Sequence, residues 1–502
     1  MATDVPSKWN TPLTSEQFPS IKRGRYSHLT KTDIKHLSQI VDGRVCTSGK
    51  ELDKANVDWL SMYRGRSLLL LKPKTTSEVC RILKYCHGQN LAVVPQGGNT
   101  SLAGGSVPVF DEVIISLKLM NKIISFNNLS GALVCEAGCT LQSLMDFLDK
   151  EGYSMPYRIG PKETCQIGGN MSTNCGGMHV VRYGTRHSAI LGLEVVLADG
   201  SVLDLLTTMK KDNTGYHLKH LFLGAEGTLG IITKVSIECP VKSPSQHMLF
   251  LGVPSFKHVQ NIFKKAKFDL GEILSAVEVF DETVMKLINK NLSLPNPLSR
   301  KTAFYMILAT AGSNTRHDAE KLESFLSKLK KEGAILDGLQ ESRPEKMQQH
   351  LWSYREKIAV ALKYEGVCYK YDITLPHDQF YQVVEELQTL LLPQPPVMVC
   401  YGHFAEGDAH LNIVTPHLKA ELQGKIENFL YNWVKSLNGS ISSEHGLGIQ
   451  RRDQIIFSKS LKAVEMMRKV KEVFDPQSIL NPYKVLPSKL DAKKRLPFLS
   501  RL

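Results

Sequence analysis

Between Pro95 and Gly230 the chain carries three glycine-rich runs, and these restrict its fold more than any other feature. The first is Pro95-Gln96-Gly97-Gly98-Asn99-Thr100-Ser101-Leu102-Ala103-Gly104-Gly105, with four glycines in nine residues after a strand-like stretch, Leu91 to Val94. Residues without a Cβ let such a loop turn its amides inward, as a pyrophosphate requires. The second is Gly168-Gly169-Asn170-Met171-Ser172-Thr173-Asn174-Cys175-Gly176-Gly177, and the third is Gly224-Ala225-Glu226-Gly227-Thr228-Leu229-Gly230, which runs into a strand. Any one of these alone reads as readily as a structural turn. Three together read as a cradle of dinucleotide size. The G-x-G-x-x-G and G-x-x-x-x-G-K-[ST] fingerprints are absent, which argues against a Rossmann NAD site and a Walker ATPase.

At 502 residues the chain exceeds one ordinary domain, and roughly 150 residues per domain suggests about three. With 42% hydrophobic and 22% charged residues it has the balance of a soluble globular protein. No apolar run approaches the ~18 residues of a membrane span; Leu68 to Leu71 stops at Lys72. Lys+Arg 62 against Asp+Glu 49 gives +13. That surplus, spread thinly, fits anionic small molecules or a solubility charge at least as well as nucleic acid, and the lack of basic clusters interleaved with aromatics argues against nucleic-acid binding. The ten cysteines include no C-x-x-C pair and no secretory signal precedes them, so they read as reduced thiols of an intracellular protein.

A polar, proline-bearing arm of 25 residues opens the chain and reads as loose. Helices follow at Lys31 to Val41 and Asn56 to Tyr63. A β-α-β unit comes next, with strand Ser67 to Lys72, helix Ser77 to His87 (Thr75, Thr76 and Ser77 as candidate N-caps) and strand Leu91 to Val94. Further strands are expected at 113–117, 132–135, 190–197 and 230–237, with a hairpin turn at Asp199-Gly200. Past Pro240 the reading alternates: strand 272–280, helix 282–288, strand 304–309, helices 317–331 and 345–363, strand 367–375, helix 378–391. A strand hairpin at 397–414 and helices at 420–437 and 461–474 complete it. The expected fold class is α+β. Its units are an N-terminal arm with helices (1–60), a cofactor domain (61–240), an α+β substrate or cap domain (241–430), a helical segment returning to the cofactor (431–487), and a basic tail (488–502).

The densest chemistry lies in Tyr401-Gly402-His403-Phe404-Ala405-Glu406-Gly407-Asp408-Ala409-His410-Leu411-Asn412. If Ala405 to Asp408 form the turn, His403 and His410 face each other across two strands, ~5 Å apart and within reach of one metal ion, with Asn412 on the same face. Paired core or surface histidines are the bland alternative. Ser443-Glu444-His445-Gly446-Leu447-Gly448 shifts the balance, because two histidines and a glutamate with an open position form a catalytic zinc ligand set.

Pro95 to Pro108, the Gly168 to Gly177 run and Glu226-Gly227-Thr228-Leu229-Gly230 resemble the FAD-binding domain of vanillyl-alcohol-oxidase-type flavoproteins. The likeness implies that Pro95, Gly97, Gly98, Asn99, Thr100, Ser101, Leu102, Gly168, Gly169, Asn174, Gly177, Gly227, Ile231 and Asn481 bind FAD. With no histidine or cysteine in the first run, the flavin is expected to be noncovalent. The hairpin, Glu444-His445 and the ending Asp475-Pro476-Gln477-Ser478-Ile479-Leu480-Asn481-Pro482-Tyr483-Lys484 resemble the FAD-dependent D-2-hydroxyacid dehydrogenases, nearly unbroken from about Arg25 to Pro487. Lys211-Asp212-Asn213-Thr214-Gly215-Tyr216 and Gly271 to Ala276 share in the likeness.

That resemblance implies a Zn2+ on His403, His410 and Glu444, substrate contacts from Asn412 and His445, and His445 as the base. Arg355 and Lys370, read alone, are solvated surface charges; the likeness makes them the holders of a distal carboxylate. The implied reaction takes a D-2-hydroxy acid, D-2-hydroxyglutarate first, to the 2-oxo acid by metal-assisted hydride transfer to flavin. Electron-transfer flavoprotein is the implied acceptor. D-lactate or another D-2-hydroxy acid is the alternative substrate. An alkylglycerone-phosphate-synthase-like flavin transferase and a flavin-binding protein without activity are alternatives of other classes.

Three positions depart from the pattern. Ala359 stands where a threonine is expected, the hairpin turn reads Ala-Glu-Gly-Asp-Ala rather than Gly-Asp-Gly-Asn and a bulky residue, and Ser101 replaces a glycine. The resemblance implies a mitochondrial location, yet the N-terminus has no arginine before Arg23, while Ser500-Arg501-Leu502 approximates a peroxisomal address. The oligomeric state is left open, a homodimer included.

Overall fold

The structure, a computed structural model, describes residues 11–342, 345–417 and 419–488. Three sheets organise the chain. In the first, β1 (Val45–Cys46), β2 (Leu70–Leu71), β3 (Val93–Gln96) and β4 (Val113–Ser116) lie in the order β1-β2-β4-β3, with β2, β4 and β3 parallel. Helix Thr76–Gly88 makes the crossover from β2 to β3, and the Thr75 hydroxyl caps it by accepting the Glu78 N–H. The second sheet is antiparallel. It holds β5 (Ile123–Asn127), β6 (Ala132–Glu136), β7 (Ile190–Val196), β8 (Val202–Leu205) and β9 (Ile231–Glu238) in the order β5-β6-β9-β7-β8. β7 and β8 form the hairpin expected around Asp199-Gly200. One apolar core, including Leu71, Val93, Ile115, Leu133, Val195 and Ile237, joins these two sheets.

The third sheet has seven antiparallel strands: β10 (Ser245–Val253), β11 (Leu274–Asp281), β12 (Phe304–Gly312), β13 (Asp337–Glu341), β14 (Val367–Thr374), β15 (Val397–His403) and β16 (Asp408–Thr415). Their order is β13-β10-β12-β11-β15-β16-β14. Helices including Phe256–Asp269, Thr315–Lys331 and Ala420–Ser436 cover one side through a core of Leu251, Ile262, Leu308, Leu322, Leu411 and Leu430. Part of the other side packs on Tyr354, Ile358 and Leu362.

Some elements differ from the sequence reading. Helix occupies Lys50–Asn56, not Asn56 to Tyr63. The Asp58 carboxylate accepts the N–H groups of Leu60, Met62 and Tyr63, so a side chain supplies the acceptors that a helix would draw from its own carbonyls. The expected helix 345–363 breaks at Lys357 into Glu345–Glu356 and Ile358–Leu362. β10 and helix Phe256–Asp269 had no counterpart in that reading. From Thr11 onward the N-terminal arm is packed rather than loose. Thr11, Leu13, Thr14 and Ile21 are buried, and Arg23 makes a two-point contact with Asp111 at 2.6 and 2.9 Å. The basic tail, Ser500-Arg501-Leu502 included, lies outside the described residues beyond Ser488. Among the described residues no helix is long and apolar enough to cross a membrane.

After helix Leu461–Phe474 the chain returns to the first sheet. The Val93 N–H donates to Ile479 O and the Asn481 N–H to Val93 O, so Leu480 pairs in parallel alongside β3. The Asn481 amide, buried, donates to Gly105 O at 3.0 Å and Glu226 O at 2.7 Å, joining the first and third glycine runs. Replacing Asn481 with Ala strands both carbonyls, and a buried acceptor left unpaired costs about 1–3 kcal/mol. The expected result is a lower thermal midpoint, read by circular dichroism.

Candidate active site

Strand pairing puts the reactive side chains on one face of the third sheet. Asp372 of β14 pairs with His410 of β16, which pairs with Tyr401 of β15. One step along, Lys370 pairs with Asn412. On the far side of β15, Glu278 of β11 pairs with His403. Residues two apart on a strand share a face, so these groups converge. The turn falls one residue earlier than the sequence reading assumed, at residues 404–407 between β15 and β16. Phe404–Glu406 form one 3-10 turn and Gly407 adopts φ +72, which places His410 opposite Tyr401 rather than opposite His403. The two histidines are diagonal neighbours instead, with ring centroids 5.5 Å apart.

The loop carrying Glu444 and His445 hangs from that face. Asp372 Oδ2 accepts the N–H groups of Ser443, Glu444 and His445 at 3.0, 2.9 and 2.8 Å. Glu444 Oε1 then lies 3.6 Å from His410 Nε2, 3.7 Å from His445 Nε2 and 3.9 Å from His403 Nε2. Donors ~2.05 Å from a tetrahedral ion stand ~3.4 Å from one another, so this spacing suits a metal. Ligand atoms of His403, Asp408, His410 and Glu444 all lie within 4.8 Å of one another, as do those of Asp372, His410, Glu444 and His445.

The other ring nitrogens face carboxylates. His403 Nδ1 lies 2.5 Å from Glu278 Oε1, whose second oxygen accepts from Arg355 Nε at 2.5 Å. His410 Nδ1 lies 3.4 Å from Asp372 Oδ1 and 3.7 Å from Asp408 Oδ1. The Glu278 carboxylate on Nδ1 fixes the His403 ring with Nε2 directed at Glu444, the usual support of a metal-bound histidine, while the two aspartates stand near His410 Nδ1 as charges without a hydrogen bond. Burial pushes the Glu278 carboxyl up, but the charges of His403 and Arg355 outweigh it and bring it down to about 2. Burial likewise opposes ionisation of Asp372 and Glu444. The surrounding histidines nevertheless hold Asp372 well below, and Glu444 below, the usual carboxylate range. Sequence reasoning missed Asp372, Glu278 and Asp408. Glu278 had left a signal, a lone acid inside the apolar stretch Val277 to Phe280.

One cavity of about 350 Å³ is lined by this face and by the glycine runs. Pro95, Gly97, Gly98, Asn99, Thr100, Ser101, Leu102, Gly168, Gly169, Gly177, Gly227 and Ile231 line it, with Arg355, Lys370, His403, His410, Asn412, Glu444 and His445. Asn174 and Asn481 stand behind the wall. Asn174 takes a left-handed turn (φ 50), and Asn481 ties the runs together. Arg355 and Lys370 reach the same cavity, though Arg355 is engaged by Glu278 and lies over the Tyr401 ring at 4.7 Å. Ala359 also lines it. The Ser101 hydroxyl accepts the N–H groups of Ala103 and Gly105, both at 3.3 Å, and so occupies two loop amides.

The cavity fits a flavin nucleotide. A Cβ on Gly98 would lie 1.9 Å from Thr164 O, whereas one on Gly169 would meet no atom within 4 Å and would fill the cavity itself. Gln166 and Asn170 line the cavity, and their Oε1 and Oδ1 atoms are buried without a partner, as polar atoms awaiting a ligand would be.

These features define a flavoprotein of the vanillyl-alcohol-oxidase fold type. Residues 67–206 match the FAD binding domain family and residues 242–485 the C-terminal domain of FAD linked oxidases. The structure is similar to that of alkyldihydroxyacetonephosphate synthase, with TM-score 0.71 at 16% identity, covering 92% of this chain and 86% of the other. In sequence it is 47% identical to mitochondrial D-2-hydroxyglutarate dehydrogenase of Bos taurus, over 95% of this chain and 87% of that protein. It is 39% identical to the D-2-hydroxyglutarate–pyruvate transhydrogenase of Saccharomyces cerevisiae, over 94% and 98%. The chain belongs to the D-2-hydroxyglutarate dehydrogenase family of FAD-dependent oxidoreductases.

Replacing Glu278 with Gln leaves Arg355 and His403 without their shared counter-charge, and breaking a buried ion pair from one side costs about 3–5 kcal/mol. Because the folded-state pKa is depressed, this stabilisation is complete above the unfolded carboxylate value and is lost as pH falls through about 2. The thermal midpoints of wild type and Glu278→Gln are therefore expected to differ most near pH 7 and to converge in acid, below the ordinary glutamate range.

Proposed function

We propose that this chain oxidises a D-2-hydroxy acid, D-2-hydroxyglutarate first, to the 2-oxo acid, using noncovalent FAD and a Zn2+ ion. The observation that carries the reading is the meeting of three imidazole Nε2 atoms and Glu444 Oε1 on the wall of the cavity that the glycine runs also line. FAD supplies the two-electron acceptor and Zn2+ a Lewis acid for the substrate hydroxyl. The division into a cofactor domain (61–240), a substrate domain (241–430) and a returning segment (431–487) belongs to this proposal.

His403, His410 and Glu444 are the proposed metal ligands. His445 is the base: its Nε2 faces Glu444, and its Nδ1 lies 3.7 Å from Asp372, which can steady the imidazolium formed when the hydroxyl proton arrives. With the hydroxyl proton taken by His445, bound FAD would supply the acceptor for the C2 hydride, and the carbon would be left as a carbonyl. Asn412 orients the C1 end. Arg355 and Lys370 draw in a second carboxylate, for which a guanidinium offers paired donors. Ala359 offers no hydroxyl there, so the preference for a dicarboxylate over D-lactate rests on these two cations.

The electron acceptor is proposed to be electron-transfer flavoprotein. The name of the yeast relative supports a second reading, in which a 2-oxo acid such as pyruvate reoxidises the flavin. A mitochondrial location is supported by the name of the bovine relative.

Anaerobic D-2-hydroxyglutarate is expected to bleach the flavin absorbance of the purified protein, and prior removal of the metal by a chelator to prevent it. Flavin that stays oxidised would defeat the substrate assignment, and bleaching unaffected by chelator would defeat the metal. Pyruvate restoring the absorbance without electron-transfer flavoprotein would favour the transhydrogenase reading. His445→Ala is expected to keep FAD while losing activity by about 10²–10⁴-fold, the range for a general base. Arg355→Met is expected to raise KM for D-2-hydroxyglutarate far more than for D-lactate, as steady-state kinetics on both substrates will show.

A further inference from the structure

We propose that Glu226, in the third glycine run, is a positioning residue that holds the far end of the loop bearing Glu444 and His445 and so couples the cofactor domain to the metal site. The inference rests on the function proposed above and extends it to a residue outside the reacting groups. The loop from Ser442 to Gly448 is strung between two carboxylates from different parts of the fold. Asp372, on β14, takes the N–H groups of residues 443–445. At the other end Glu226 Oε1 accepts the Leu447 N–H at 2.7 Å, and Glu226 Oε2 accepts the Gly448 N–H at 2.9 Å. Glu444 and His445 are held by the Asp372 anchorage through their own N–H groups, and the Glu226 anchorage begins two residues beyond His445.

The contact is too close for side chains on the loop. A Cβ on Gly446 would lie 2.6 Å from Glu226 Oε1, and one on Gly448 would lie 2.0 Å from Ala103 O in the first run. Glu226 is itself held firmly. It is 7% exposed, its N–H donates to Ser172 O in the second run at 2.8 Å, and its carbonyl accepts from Asn481 at 2.7 Å. All three cofactor runs therefore meet within two bonded contacts of the loop that carries the proposed metal ligand and base.

A metal site tolerates errors of only about 0.2 Å in its ligand distances. Freed at one end, the loop would let Glu444 drift from the three imidazoles. Losing an outer support of this kind typically weakens metal binding or activity by about 10- to 100-fold.

The test uses the holoenzyme and Glu226→Gln, whose amide keeps the side chain's size but turns one acceptor into a donor facing an N–H. Zn2+ affinity is measured by competition with a chromophoric chelator, bound FAD by its absorbance, and kcat and KM separately. Glu226→Gln is expected to keep FAD, to bind Zn2+ about 10- to 100-fold more weakly, and to lose kcat rather than gain KM for the distal carboxylate. Glu226→Asp, which keeps the charge but withdraws it by one methylene, is expected to fall between the two. Zn2+ affinity equal to wild type in both variants overturns the proposal. So does loss of FAD in step with Zn2+ across both, which would make Glu226 a fold residue of the cofactor domain. A wild-type holoenzyme that binds no Zn2+ overturns the function proposed above, and that result is read before either variant is made.

Discussion

The site depends on one buried carboxylate. Asp372 is 1% exposed, and withdrawing its charge from water would cost several kcal/mol if it stood alone. Three backbone N–H groups and two histidines surround it instead. The same oxygens therefore fix the Glu444–His445 loop and orient the His410 ring. Without the aspartate, three amides would lose their acceptor together, and the histidines beside it their nearby counter-charge. A pleated face supplies the precision here, since Asp372, His410 and Tyr401 are aligned by strand pairing rather than by loop packing.

Glu278 plays the matching part on the other side. Its two oxygens join His403 to Arg355, so a proposed metal ligand and a proposed carboxylate-binding cation share one counter-charge. A change at either end is felt at the other through that carboxylate. The arrangement also suits a guanidinium beside the proposed metal, because the acid between them would offset the repulsion. Burial of charge at this density is sustained by pairing on every side.

Much of this was legible in the sequence, for identifiable reasons. The glycine runs announced themselves because close backbone approach leaves a residue-type signature, and Glu444-His445 stood out among glycines. The β-α-β unit and the strand hairpin at 397–414 followed from apolar periodicity and turn residues. The histidine register did not, because Phe404 to Gly407 make a helical turn that alternation cannot reveal, and the two-residue slip changed which side chains lie opposite. Asp372 and Asp408 were hidden for a related reason. An acid inside a strand reads as solvent-facing until its neighbours are known, and its partners arrive from distant strands and from the loop after Asn438. Glu226 was quoted as part of a glycine motif, while its carboxylate contacts lie more than two hundred residues further along. Helix Phe256–Asp269 went unread because its amphipathic pattern lies in a lysine-rich stretch.

The return of the C-terminal segment has a consequence for synthesis. Leu480 completes the pairing beside Val93, and Asn481 reaches Gly105 from 376 residues away. A ribosome that has made the first two sheets has thus produced a cofactor domain with one flank missing, and no local refolding can supply it. Until residues 479–481 have emerged, the Val93 edge of the first sheet stays unpaired on that side, and the first and third glycine runs lack the amide that ties them together.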